Sequence, residues 1–351
     1  MNKKVLITGG TGYIGSHISL KLFELGFDVY IIDSFINSSH LNIANLKLIN
    51  TQKKKNFNNK IYIIQGDIRD KSFLEKLFIE IAKKNERFNS VIHLAGLKSV
   101  TESTFNPLSY WDVNVNGTIN LLEVMSKFDC KTIIFSSSAT IYGKSKKEFL
   151  SEDLPINPCN PYGETKATIE KILSNLFFSD LGNWRICNLR YFNPAGADPS
   201  GLIGEKFCLN PNNLFPYLNL VAGGNKKFLK IYGNDWPTRD GTAIRDYIHI
   251  NDLAFGHILA MNYLSKEKSQ ILNLNLGTGN GNTVLEVLNT FQKVNNCEIK
   301  YVFEERRIGD VPSLVADNSN LKKLFKWSPS ICISDICRHS WNWFLKNKST
   351  L

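Results

Sequence analysis

Short apolar runs alternate along this chain with stretches in which apolar residues recur every three or four positions. Val5 to Thr8 is a run closed by Gly9, the pattern of a strand buried on both faces of a parallel sheet. Ile14, Ile18, Leu22 and Leu25 follow at helical spacing, and "DVYIID" (28–33) is the next run. "IYIIQGD" (61–67) ends at Asp67, and Phe73, Leu74, Leu77, Phe78 and Ile81 mark a helix behind it. "SVIHLAG" (90–96) ends in small residues, and a helix is predicted from about Pro107 to Phe128. "KTIIFSSSATIYG" (131–143) is a further strand ending in three serines. A helix beginning near Tyr162 then carries Ile169, Ile172, Leu173 and Leu176 on one face. Strands alternating with helices predict an α/β fold with a doubly wound parallel sheet and ligands at the strands' carboxyl ends. "SDICRHSWNWFLKN" (334–347) reads as a terminal amphipathic helix with Ile336, Trp341 and Phe344 inward.

The first strand–helix–strand unit carries candidate chemistry. Gly9, Gly12 and Gly15 are spaced G-x-x-G-x-x-G between the first strand and the first helix. Gly9 permits a tight turn, Gly12 lets backbone approach a pyrophosphate, and Gly15 lets helix and sheet close up. The helix start offers free N–H groups and a partial positive charge to phosphates. Asp33 closes the second strand, where a carboxylate binds ribose hydroxyls and repels a 2′-phosphate. The unit predicts a Rossmann-like site for NAD rather than NADP. An ordinary glycine turn and a strand-end capping aspartate are the plainer alternatives, and the flanking pattern disfavours both.

Composition changes this picture little. With 351 residues, 43% hydrophobic and 21% charged, the chain suits one large domain or one plus a smaller lobe. No run approaches the ~18 apolar residues of a membrane span, and "MNKKVLITGG" lacks a signal-peptide core; a cytoplasmic enzyme is expected. Seven cysteines without a Cys-x-x-Cys pair suggest reduced thiols and no metal site. The net charge of +10 comes partly from lysine clusters at 52–60, 144–148 and 225–230. They lack interleaved aromatics, so solvated surface is favoured over a specific nucleic-acid site. A positive field also gathers an anionic substrate.

"PYGETKATIEK" (161–171) sets Tyr162 and Lys166 one helical turn apart on one face. An ammonium beside a phenol favours the phenolate, making a base from a group whose reference pKa is ~10. Ser138 can share the same substrate oxygen. Tyr-x-x-x-Lys alone is common by chance. A serine-ended strand before it and the glycine turn far upstream make chance a poor account.

Here the chain resembles the extended short-chain dehydrogenase/reductase family, and within it the UDP-glucose (UDP-galactose) 4-epimerases. The likeness runs from Lys4 to about Phe344 through "TGGTGYIGSH", "HLAGLKSVTES", "NVNGT", "FSSSATIYG", "PYGETK", "RYFNPAGADPSG", "PNNLFPY", "YGNDWPTRDGTAIRDYIHINDLA" and "RRIGDVPSLVAD". It implies tightly bound NAD and exchange of UDP-galactose and UDP-glucose through a 4-keto sugar, with Tyr162, Lys166 and Ser138 catalytic. It implies an NAD domain over 1–190, rejoined by segments from about 228–275, and a smaller C-terminal α/β lobe over 191–351 for the UDP-sugar. Tyr13 and Ile14 would give backbone N–H groups to the cofactor's diphosphate, and Asp67 and Ile68 would meet the adenine. Asn37 and Ser38 would also bind the cofactor. Leu94, Ala95, Gly96, Lys98, Asn114, Ser136 and Phe192 would line the rest of the cofactor groove.

For the substrate the resemblance implies Lys98 and Asn193 at the diphosphosugar, and Asn213 and Leu214 at a helix start suited to phosphate. Tyr232 would pack near uracil, Arg245 and Arg307 would hold the pyrophosphate, and Asp310 would take a ribose hydroxyl. Val113 departs from the family's usual asparagine, which removes one side-chain contact to cofactor. Leu314 stands where the family varies between a bulky aromatic and a small residue, leaving acceptance of N-acetylated sugars open. A homodimer through first-domain helices is expected by the same likeness. The rivals are a 4,6-dehydratase, which needs Asp-Glu where Ala139 and Thr140 stand, a decarboxylase, and a non-enzymatic NAD-binding regulator, a kind that usually lacks the tyrosine or the lysine.

Overall fold

A computed structural model of the chain describes residues 3–38, 40–52, 59–145, 147–180, 183–206, 211, 213–307 and 309–350. Most of the first lysine cluster, Lys146 of the second, and Cys208 lie outside the described residues. In chain order the first half contains β1 (Lys4–Thr8), α1 (Tyr13–Glu24), β2 (Asp28–Asp33), α2 (His40–Gln52), β3 (Ile61–Gln65), α3 (Lys71–Ala82) and β4 (Ser90–His93). It continues with α4 (Val100–Phe105), α5 (Pro107–Tyr110), α6 (Gly117–Lys127), β5 (Thr132–Ser138), α7 (Pro161–Ser179) and β6 (Arg185–Tyr191). The second half contains β7 (Asn193–Ala195), α8 (Leu214–Ala222), β8 (Leu229–Tyr232), β9 (Ile244–Arg245), β10 (Tyr247–His249), α9 (Ile250–Leu264) and β11 (Gln270–Leu276). It ends with β12 (Asn282–Thr283), α10 (Val284–Asn295), β13 (Tyr301–Glu304), β14 (Ser313–Leu314), α11 (Ser319–Phe325) and α12 (Ile333–Asn347).

The central sheet has seven parallel strands in the order β11-β6-β5-β4-β1-β2-β3. From β1 the chain winds outward to β2 and β3, then crosses back to β4 and winds the other way. This reversal opens a crevice between the loops after β1 and β4. One apolar core packs α1 and α9 on one face of the sheet, with Ile18, Leu22, Leu253 and Ile258 fully buried. A second packs α3, α6 and α7 on the other, around Leu74, Leu121, Leu173 and Trp184. With both faces covered, the inner strands are apolar throughout, which is why they read as runs and not as alternations.

The predicted helix from Pro107 is interrupted. Residues Trp111–Asn116 form a π-helical segment between α5 and α6. The wider turn brings Asn114 inward, where it is buried. Such segments are not visible in apolar spacing, because one extra residue per turn only rotates the pattern.

A third core, around Phe215, Leu218, Leu288, Phe291 and Ile336, holds α8, α10 and α12 together as a smaller lobe. Small sheets serve it: β13 with β8, β10 with β7, and β12-β9-β14. Of residues 228–275, α9 and β11 join the large sheet, whereas β8 pairs with β13 away from it. The terminal helix buries Ile336 and Phe344, and Trp341 stacks on Phe344 at 5.2 Å. Among the described residues no helix is long and apolar enough to cross a membrane.

Gly9 takes φ +71°, and a Cβ there would lie 2.8 Å from Ala95 N. A Cβ on Gly15 would lie 2.4 Å from Gly9 O, backbone against backbone. Gly15→Ala therefore forces the turn off the helix. Strain of about 1–3 kcal/mol is expected to lower Tm by several degrees in thermal unfolding. An unchanged Tm would show that the turn yields at no cost.

Candidate active site

The loop after β1 turns on Gly9 and enters α1 at Gly12, whose backbone is extended and which caps the helix without a side chain. A Cβ on Gly12 would meet only Gly9 O, at 3.3 Å, so this position opens outward. The first-turn amides of Tyr13 and Ile14 are thereby presented with no acidic residue in the first turn, the arrangement that suits phosphate. Asp33 lies beside this turn and builds it. Its Oδ2 accepts from Thr11 N at 3.0 Å, and its Oδ1 accepts from Phe35 N at 2.9 Å and Ser38 Oγ at 2.8 Å. A carboxylate has about four lone-pair sites, so capacity is left for a ligand hydroxyl. Ser38 Oγ also accepts from Thr11 Oγ1 at 2.6 Å, while Asn37 is exposed at the rim.

At the far end of this groove, Asp67 is already engaged. Arg69 donates to both of its oxygens and also to Asp112. Hydrogen bonds from Arg69 hold the Asp67 carboxyl below its ordinary value. Ile68 is buried against Gly117, where a Cβ would come within 2.7 Å. The Arg69 clamp followed from no sequence pattern.

The loop after β4, Leu94 to Gly96, faces α7. Asn114 pins it: Oδ1 accepts from Leu97 N at 2.7 Å, and Nδ2 donates to Leu97 O and to Thr165 Oγ1, both at 3.1 Å. Both amide hydrogens are thus used within the protein, so Asn114 positions the loop. A Cβ on Gly96 would lie 2.9 Å from Asn114 Oδ1 and 3.9 Å from Lys166 Nζ, so its bareness lets the lysine reach the crevice. Val113, beside Asn114 in the π segment, is partly buried.

Asn160 caps α7 by accepting from Gly163 N at 2.9 Å, and Pro161 opens the helix. This fixes the first turn that bears Tyr162. Lys166 is buried, donates to Ser136 O at 2.8 Å, and lies 4.9 Å from the Phe135 ring centroid and 5.8 Å from that of Tyr162. Ser138 closes β5, accepts from Thr140 N at 3.3 Å and Thr140 Oγ1 at 3.0 Å, and stands close enough to the Tyr162 phenol to favour its ionised form. The predicted trio is therefore assembled. Tyr110 meets Tyr162 edge to face at 6.4 Å, its own hydroxyl held by Ser99.

The electrostatics differ from the sequence argument. Lys166 was expected to lower the phenol's pKa, yet burial raises it and Ser138 only partly opposes this. Burial also pushes Lys166 down to about 8. The protein's own groups thus leave the phenol protonated, and ionisation needs a further positive charge. His93, whose ring nitrogens meet Thr8 and Thr118, is driven to about 3 by burial and then by Lys166. It is a neutral core residue here.

The substrate candidates form two groups. Arg307 donates to Asp310 at 2.9 Å, Arg245 lies 3.6 Å from the same carboxylate, and the Arg307 guanidinium stacks on Tyr232 at 4.8 Å. Buried Asp246, which accepts from Thr278 N, Gly279 N and Ala316 N, fixes the backbone beside Arg245. Asn193 joins this region through its N–H to Asp246 O at 3.0 Å, and its buried Oδ1 has no partner, which suits a ligand donor. The other group gathers on Glu205, which sequence reasoning missed. Its Oε1 accepts from Lys98 at 3.2 Å and from Asn213 Nδ2 at 3.0 Å. Leu214 follows in the first turn of α8, packed on the lobe's core. Phe192 and Leu314 pack with Ala139 in one apolar cluster beside Ser138. Among the described residues no cluster of three or more His, Cys, Asp or Glu could hold a metal ion, and six cysteines are free thiols.

A glycine turn, a strand-end carboxylate and a Ser-Tyr-Lys trio on this sheet define an extended short-chain dehydrogenase/reductase scaffold. The model of the GDP-mannose 4,6-dehydratase family matches residues 6–340. UDP-glucose 4-epimerase 4 of Oryza sativa is 46% identical over 99% of this chain and 91% of its own. A crystal structure of the Stenotrophomonas maltophila UDP-glucose 4-epimerase with bound NAD and formylated UDP-arabinopyranose superposes with TM-score 0.93. It is 36% identical and covers 100% of both chains. The Bifidobacterium longum UDP-glucose 4-epimerase in complex with NAD+ and UDP gives 0.91 at 40% identity, covering 99% of this chain and 100% of its own. This chain belongs to the UDP-glucose 4-epimerases of the extended short-chain dehydrogenase/reductase family.

In the protein alone, difference absorbance between wild type and Tyr162→Phe is expected to show no phenolate between about pH 6 and 9, against an ordinary value of ~10. A Tyr162-dependent phenolate below about pH 8 would contradict the dominance of burial.

Proposed function

We propose that this protein interconverts UDP-galactose and UDP-glucose at carbon 4, in galactose metabolism, with NAD held through turnover. The observation that carries the reading is the convergence of Ser138, Tyr162 and Lys166 beside the glycine turn, facing a lobe that gathers Tyr232, Arg245, Arg307 and Asp310. The open Gly12 cradle and the spare acceptor capacity of Asp33 fit a dinucleotide, and the relatives described above bind NAD. We assign 1–190, with the later return of α9 and β11, to the cofactor, and the remainder mainly to the UDP-sugar.

The Gly12 turn and Asp33 would hold NAD, which when bound would supply a hydride acceptor for carbon 4 and a further positive charge to the crevice. Tyr162 accepts the proton of the sugar's 4-hydroxyl, and Ser138 orients that oxygen by hydrogen bonding. Lys166 holds its ammonium beside the phenol from a fixed anchor on Ser136 O. A flat 4-keto sugar that turned over within the site before regaining its hydride would leave with carbon 4 inverted. Arg245 and Arg307 grip the diphosphate with forked donors, so the nucleotide stays while the sugar turns. Dehydration is disfavoured because Ala139 has no ionisable group and Thr140 spends its hydroxyl on Ser138 at 3.0 Å.

The cytoplasm is the compartment that suits this reaction and the free thiols. A homodimer is supported by exposed Phe105 (77%) and Leu108 (81%) on α4 and α5. Purified protein given UDP-galactose, with NAD added, is expected to yield UDP-glucose; absence of product would end the assignment. Tyr162→Phe is expected to lower kcat by roughly 10²–10⁴-fold with nucleotide binding retained. Near-wild-type turnover in that variant would remove the phenol from the mechanism.

A further inference from the structure

We infer that Arg190 withholds Glu170 from Lys166, so that this buried ion pair positions the lysine ammonium for Tyr162 and Ser138. The inference rests on the reaction proposed above. Lys166 and Glu170 stand four apart on α7, the spacing at which opposite charges on a helix normally meet. They do not meet here. Glu170 Oε1 accepts from Arg190 Nε at 3.0 Å and Oε2 from Arg190 Nη2 at 2.7 Å, and Ser137 Oγ donates to Oε1 at 2.5 Å. The Lys166 ammonium turns instead to Ser136 O at 2.8 Å.

Arg190 and Glu170 side chains are only 2% and 5% exposed. Removing one partner of such a pair leaves a buried charge that seeks another; Lys171, next in sequence, is exposed, and the buried cation one helical turn back is Lys166. Arg190 is itself fixed by Tyr142 OH and Glu152 O, both at 3.0 Å. Burial would lower its pKa, but Glu170's hydrogen bonds and charge hold it above the ordinary value. The pair also ties α7 to β5 and β6, since Ser137 lies opposite Arg190 in the sheet and next to Ser138. Other titratable groups face this cluster: Cys187 of β6, a buried thiol whose pKa is raised by burial and by Glu170, and Glu152, whose carboxylate accepts from Asn275 N and Asn320 Nδ2. From β4 comes neutral His93, and from β6 Tyr191, hydrogen-bonded to His257 of α9. From α5 comes Tyr110, which Glu102 of α4 contacts; from the turn after β5 comes Tyr142; and Asp112 of the π segment is spent on Arg69. Among these, Glu170 is the carboxylate within reach of Lys166 along the same helix.

The test compares wild type, Arg190→Met and the double variant Arg190→Met/Glu170→Met. The Lys166 ε-carbon is titrated by NMR in the protein alone, and kcat and KM for UDP-galactose are measured against pH with NAD. Arg190→Met is expected to raise the Lys166 midpoint, which burial holds to about 8 in the native protein. It should also move the acid limb of kcat upward and cut kcat at least about tenfold with KM little changed. The double variant, apolar and of similar volume, is expected to return the midpoint and the limb and to recover most of the loss. Arg190→Lys, which keeps charge without the fork, shows the same signs at smaller size and serves if Arg190→Met does not fold. A folded Arg190→Met with midpoint and limb unmoved overturns the inference, and so does a double variant as impaired as the single. Were the native protein inactive on UDP-galactose, the proposed reaction would fail, while the NMR titration would still decide this point.

Discussion

A buried ammonium is costly unless it finds partners, and the site is arranged around that constraint. Lys166 enters the crevice because Gly96 leaves room, and it stops there because Ser136 presents a carbonyl. Asn114 holds the Gly96 loop, and the π segment is what turns Asn114 inward. Glu170, the natural helical partner of Lys166, is occupied by Arg190 and Ser137. Each of these features would be an oddity alone. Together they keep one positive charge dry, anchored and not neutralised next to a phenol.

The phenol itself is not ionised by this arrangement. Burial raises Tyr162 more than its neighbours lower it. A phenol that needs one more positive charge responds only when the cofactor-binding crevice is filled with the right charge state. In the proposed reaction, acid–base competence is thereby linked to occupancy by electrostatics.

Much of this was legible in the sequence, and the limits are physical. The parallel sheet was readable because strands covered on both faces become apolar runs, and the glycine turn because only missing Cβ atoms permit its backbone contacts. Tyr162, Lys166 and Ser138 could be named because they sit at fixed offsets from strand and helix ends. What escaped were pairings between separate elements: Glu205 with Lys98, Arg69 with Asp112, Arg190 with Glu170. No local spacing encodes a contact between residues over a hundred positions apart, as Lys98 and Glu205 are. The sign of the Tyr162 shift escaped for a related reason, since burial depends on the packed whole whereas a Tyr–Lys offset is local.

The division between a firm grip and a loose one follows from the same architecture. Arg245, Arg307, Asp310 and Tyr232 are knitted to one another and to a lobe with its own apolar core. The wall beside Ser138 is different. Ala139, Phe192 and Leu314 form an apolar cluster, which offers a sugar contact without directional bonds. Asn193, next to Phe192 in sequence and bonded through its N–H to Asp246, brings a buried Oδ1 acceptor without a partner between the two groups. A ring whose nucleotide is fixed by forked ion pairs and whose own faces meet mostly apolar surface loses little by turning over. In the proposed reaction, rigidity at the diphosphate end is what would make freedom at the sugar end productive.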